Sequence, residues 1–294
     1  MASPAAPLDS SYFTDAGDLG IQEGLNLRQS GAVSGASALI AKFRKGTTKA
    51  FAHLNRESIA NDLEIQLRLE TFRQEQSPFC GVAVFVRFWA WDSPQSYTQF
   101  AIDLFEKGRA RLESAGKHSG KLVVPTPELR AAKPHMEMAD LDWMVMASIR
   151  EALANDFNYL HYKTVFQTIK GLYEPSLVAQ FKAAGYSKIV DGDSLLEASN
   201  YYQRNWRVVL RIRSWMLKKT QEEGYQTKTA VFGSMGFHYL GLDSEVFTRN
   251  VNGKILIDPF RVWTWGRREM IPAWKKPLPM DDFLSYFYYV AAKF

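Results

Sequence analysis

The spacing of hydrophobic positions changes along the chain, and the change divides it into two regimes. In "RESIANDLEIQLRLETFRQ", residues 56–74, Ile59, Leu63 and Leu67 recur at helical spacing, which predicts an amphipathic helix. Residues 32–46 carry a weaker pattern of the same kind. From Cys80 the run "CGVAVFVRFWAW" is apolar on nearly every side, as a buried helix requires. Next comes "DSPQSYTQFAIDLFEKG", with Ser93 suited to an N-cap, Pro94 to the first helical position and Gly108 to the position past the end. "KLVVPTPELRAA" (121–132) reads as a loop because of its prolines. "MADLDWMVMASIREAL" (138–153) and "EPSLVAQFKAAGY" (174–186) are helical again, the second stopping at Gly185.

After about residue 205 the period shortens to two. "NWRVVLRIRSWML" and "GFHYLGLDSEVFTR" alternate, and "SEVFTRNVNGKILID" (244–258) reads as a hairpin turning at Asn-Gly. The chain closes on an aromatic amphipathic segment, "MDDFLSYFYYVAAKF". Helices first and strands later argue for an α+β fold with an antiparallel sheet, and against a parallel βαβ fold. Residues 1–55 are rich in Ala, Gly and Ser. They read as a flexible or loosely packed arm that buries too little surface to offset its ordering entropy. The remaining residues, 56–294, form one domain.

Composition narrows the function classes. No apolar stretch is long enough for a transmembrane helix, and "MASPAAPLDSSYF" lacks the pattern of a cleaved secretory signal. Cytoplasmic synthesis is expected, with export by a route that needs no signal peptide left open. The net charge of +5 is spread in short pairs, without the stripe or aromatic motif of a nucleic-acid binder, so no nucleic-acid partner is expected. No Gly-rich phosphate loop, His-Glu-x-x-His motif or Cys-rich cluster occurs, so no cofactor and no metal are expected.

One cysteine occurs in 294 residues. A lone cysteine is commonly a small buried hydrophobe. Cys80, however, opens a helix, where about half a positive charge favours thiolate, and the first-turn amides lack intrahelical partners and can donate to an oxyanion. Gln74 lies six residues upstream as a second donor, with Gln76 a nearer competitor. Of five histidines, His53 and His118 lie in polar segments, His135 follows a proline, and His161 sits among aromatics. His238 opens a strand-like run after a small-residue loop, which leaves room over its ring. Asp258, in "ILIDPF", ends a strand-like run. If 238–246 and 254–260 pair, it falls near His238 and can hold the imidazole. Trp263 and Trp265 are candidates to line a substrate groove, or to pack one face of the sheet.

A cysteine at a helix start, a His-Tyr opening a strand and an Asp-Pro ending another resemble the papain-like cysteine peptidase superfamily in its bacterial branches, which include bacteriocin-processing peptidases and effector or toxin proteases. The likeness covers about residues 70–294 on the short motifs Gln74, Cys80-Gly81, His238-Tyr239 and Asp258-Pro259; the plant-type "CGSCW" signature is absent. It implies a helical half carrying the Cys80 helix packed on an antiparallel sheet, with a Cys80–His238–Asp258 triad. Gln74 and the Cys80 amide would form the oxyanion hole. The implied partners are a protein or peptide substrate and, for an effector, a cognate inhibitor. The same site also serves amidases, glutamine deamidases and transglutaminases. A chain that kept the fold and lost activity would be an interaction module.

Overall fold

A computed structural model describes residues 33–69, 72, 79–113, 120–133, 138–153, 174–213, 237–264, 266–271, 277–284 and 287–294. The fold is mixed α+β, with helices in the N-terminal half and antiparallel sheets in the C-terminal half, as the change of period requires.

Helix α3 (Cys80–Asp92) is buried on every side from Cys80 to Ala90, so its sequence shows no polar face. Around it pack α4 (Pro94–Lys107), α6 (Asp140–Leu153) and α7 (Glu174–Ala183), and α2 (Arg56–Leu69) packs on α6. Trp89 stands 5.2 Å from Phe100 and 5.9 Å from both Phe85 and Tyr97 between ring centroids. Burying one such ring contributes about 1.5–3 kcal/mol, before any aromatic pair term. The α3–α4 corner follows its punctuation: Ser93 precedes α4, Pro94 is its first residue, and Gly108 adopts φ 64° past its end. A buried polar chain ties three helices. The Tyr97 hydroxyl donates to Gln66 Oε1 (2.5 Å), and Gln66 Nε2 donates to Asp142 Oδ1 (2.7 Å).

Two expectations fail in this half. Residues from 33 on are packed rather than loose. Helix α1 (33–44) and the turn after it place Ile40, Phe43, Phe51 and Leu54 in the core, and Arg56 lies over the Phe43 ring at 4.4 Å while donating to Glu106 Oε1. Four large side chains at these positions outweigh the small-residue composition. Residues 1–32 lie outside the described residues. The stretch 121–132 is also not all loop. Strand β2 (Lys121–Val123) pairs with β1 (Ala110–Leu112), and Pro127 begins the short α5 (Pro127–Ala131), capped by Thr126 Oγ1. Proline at a first helical position starts a helix as readily as it breaks one.

The main sheet has six antiparallel strands in the order β3 (Lys188–Gly192), β11 (Tyr288–Lys293), β4 (Arg207–Arg213), β5 (Phe237–Leu242), β8 (Phe260–Thr264), β9 (Arg267–Ile271). One face meets α3 through Val209, Tyr239, Trp263 and Val290. Gly241 suits this contact, because a Cβ there would stand 3.0 Å from Phe88 and 3.4 Å from Val84, closer than side chains ordinarily pack. The other face, with Leu210, Ile212, Leu240 and Val262, packs on α8 (Leu195–Gln203), α9 (Met280–Leu284) and a small sheet ordered β10 (Leu278–Pro279), β7 (Lys254–Ile257), β6 (Thr248–Val251). The β6–β7 hairpin turns on Asn252 (φ 52°) and Gly253 (φ 80°), the left-handed pair such a two-residue turn demands.

Strand β5 therefore pairs with β4 and β8, not with β7. The expected 238–246/254–260 pairing does not form. Hairpin β6–β7 makes an excursion from the main sheet, and the chain returns to it only after Pro259.

Candidate active site

Cys80 is the first residue of α3, with buried Phe79 at the N-cap. Its sulfur accepts a hydrogen bond from the backbone amide of Tyr239 in β5. Amides alternate sides along a strand. The Asp243 amide donates to Arg261 O at 3.0 Å, toward β8, so the Tyr239 amide, four residues away, points the same way. The described β5–β8 partners are Gly241 with Trp263 and Leu242 with Val262. The thiol thus lies on the side of β5 that β8 flanks further along.

The residue before Tyr239 spans the seam between β5 and β8. His238 is buried, and its Nε2 stands 2.5 Å from Thr264 Oγ1 of β8. His238 shares its sheet face with Leu240, and Thr264 shares that face with Val262, as period two dictates. Cys80, on α3, meets the sheet from the Tyr239 side, whereas the His238 ring and Thr264 project from the opposite face, one residue away along β5.

Asp258 does not take part. It follows β7, in the small sheet, and its Oδ1 accepts from Arg249 Nε at 3.0 Å on the surface. Its place in the triad rested on the β5–β7 pairing and falls with it. Trp263 packs a face of the sheet. It is 3 % exposed, faces α3, and lies 5.1 Å beneath the Arg87 guanidinium. Gln74, Gln76 and Trp265 lie outside the described residues, as do His118, His135 and His161. His53 packs edge-on to Trp143 at 5.8 Å.

The electrostatics differ from a helix-start thiolate. Burial pushes the Cys80 thiol above its ordinary range, against the opposing pull of the Tyr239, Gly81 and Cys80 amides and the Arg150 charge. Loss of water costs the anion more than the helix terminus returns. Burial alone holds His238 down to about 4. At neutral pH the site therefore holds a neutral thiol and a neutral imidazole. Arg150, on α6 and 3 % exposed, acts electrostatically on both Cys80 and Tyr239. The Tyr239 phenol is pushed up by burial and then by Cys80.

Two residues that the structure brings to these groups, Arg150 and Thr264, are not singled out by sequence. The usable signal for Thr264 is alternation in "VWT", which puts Thr264 on the face opposite Trp263. Among the described residues no group of His, Cys, Asp and Glu is arranged to hold a metal ion, and no helix is long and apolar enough to cross a membrane. Compared with protein-family models, curated proteins and solved structures, the chain matches none of them.

Proposed function

We propose that this chain is a thiol hydrolase of papain-like architecture acting on an amide bond of a peptide or protein. The observation that carries the reading is that consecutive residues of β5 meet the two groups: the Tyr239 amide donates to the Cys80 sulfur, and His238 stands at Thr264 on the other face. A cysteine opening a central helix and a histidine on an adjoining antiparallel strand support the same architecture.

The chemistry follows from the two neutral groups. With Thr264 Oγ1 accepting, the ring proton sits on Nε2 and Nδ1 carries the lone pair. The reading has the His238 ring turn about its side-chain bonds to reach the sulfur from the opposite face; as the sulfur attacks the amide carbon, its proton passes to Nδ1 and a carbon–sulfur bond forms. The first-turn amides of α3 stabilise the oxyanion. Nδ1 then returns the proton to the leaving nitrogen, the carbon–nitrogen bond breaks, and a thioester remains. Water, deprotonated by the same nitrogen, releases the acid and restores the thiol. An amine in place of water would make the reaction a transfer. A side-chain amide as substrate would make it a deamidation.

The test is to incubate purified protein with a pool of lysate-derived peptides and to count new N-termini and released ammonia. The reading predicts one product or the other, lost in Cys80→Ala. Burial of the thiol favours a second reading, an interaction module without catalysis. Absence of both products in the wild type selects it.

A further inference from the structure

We propose a second site at the opposite end of α3: a pocket for a small aromatic phosphate monoester. It does not depend on the hydrolase reading. Trp91 lies eleven residues from Cys80, which at 1.5 Å per residue is about 16 Å along the helix. There a cavity of about 260 Å³ opens between the end of α3, the turn from α8 into β4, and the ends of β5 and β9.

Its walls are aromatic and its charge is positive. The rings of Phe88, Trp91 and Trp206 line it, together with Arg87, Arg207 and Arg268. The Arg207 guanidinium is 5.5 Å from the Trp91 ring centre and 5.9 Å from that of Phe88. Two carboxylates hold the arginines in place. Asp92 is forked by Arg207 through Nε and a terminal nitrogen, at 2.6–3.1 Å. Asp243 meets Arg268 at 2.6 Å, Arg87 at 3.4 Å and Arg261 at 3.5 Å. The residues that line the cavity include three arginines and one aspartate, a formal charge of +2. A phosphate monoester brings a charge of about −2 and oxygens that match guanidinium forks.

The remaining volume fixes the rest of the ligand. About 260 Å³ is just under the usual range of small-molecule sites, roughly 300–1,000 Å³. It suits one or two rings with an acidic head. Indole and guanidinium planes are the surfaces on which a flat ring stacks. Neither half of the ligand explains both the walls and the charge.

The experiment is titration of the full chain with phenyl phosphate and with uridine 5′-monophosphate, read by calorimetry and tryptophan fluorescence. Phenol, uridine and inorganic phosphate serve as half-ligands. The expected result is saturable 1:1 binding of at least one ester, at least tenfold tighter than either of its halves. Arg268→Gln and Trp206→Leu should each weaken it at least fivefold at a temperature where circular dichroism shows the variant folded, while Cys80→Ala binds as the wild type does. Saturation by neither ester overturns the proposal. So does an ester no tighter than its halves, or binding indifferent to whichever of the two variants folds.

Discussion

Thr264 Oγ1 lies 2.5 Å from His238 Nε2 across the β5–β8 seam, where the sequence pattern pointed to Asp258. A hydroxyl in this position holds the ring without adding charge, in keeping with an imidazole that burial keeps neutral. Thr264→Val should therefore behave as a positioning change. It leaves a buried ring nitrogen without its partner, at about 1–3 kcal/mol of stability. We expect kcat/KM to fall about 10- to 100-fold through kcat, with KM little changed and with Thr264→Ser restoring most of the rate. Steady-state kinetics on the three forms decides it.

Asp258→Asn should do little. The carboxylate pairs with Arg249 on the surface, and both side chains are well exposed. Exposed pairs contribute about 0–1 kcal/mol, so denaturant midpoint and turnover should both stay near wild type. A loss of activity as large as that of His238→Gln would restore Asp258 to the site.

Stability should fall on the acid side because of His238. The unfolded chain takes up the proton near 6.5, whereas the folded chain refuses it until about 4. Between these values the unfolded state binds more protons, so stability drops as pH falls through the window and levels off below it. The full effect is roughly 3 kcal/mol. Urea unfolding at pH 7.5 and 4.5 should show most of it in wild type, and the difference between the two pH values should shrink by about that amount in His238→Gln.

Cys80 should alkylate slowly in the native protein. Burial raises its thiol, so the iodoacetamide rate at pH 7.5 should lie below that of a free thiol and climb only in strongly alkaline buffer. Denaturant should abolish the difference. Arg150→Met removes a charge that favours the thiolate and should slow the native reaction further. Quenched-flow mass spectrometry follows the single cysteine without ambiguity.

Much of the architecture could be read from the residues. The all-apolar α3, the Ser93-Pro94-Gly108 punctuation and the Asn252-Gly253 turn carry their geometry locally, within a few residues of sequence. Cys80 at a helix start and His238 near the start of a strand belong to the same local order. What could not be read is which strand lies beside β5. That depends on the β6–β7 hairpin leaving the main sheet, a choice made by distant packing of Ile257, Phe260 and Val262. With it went the identity of the ring's partner, Thr264 for Asp258. The thiol's ionisation also escaped, because burial at Cys80 is set by the whole layer above the sheet and not by the helix end alone. Residues 33–55 misled by composition, since four large side chains among many small ones are enough to dock a segment.

The central claim is that Cys80 and His238 work as one unit. A double-mutant cycle on hydrolysis of the best peptide from the lysate pool tests it most directly. Groups that act together lose nearly everything when either is removed. Cys80→Ala and His238→Gln should each abolish nearly all turnover, and the double variant should be no worse than Cys80→Ala. Independent, multiplying losses, or turnover that survives Cys80→Ala, would contradict the account.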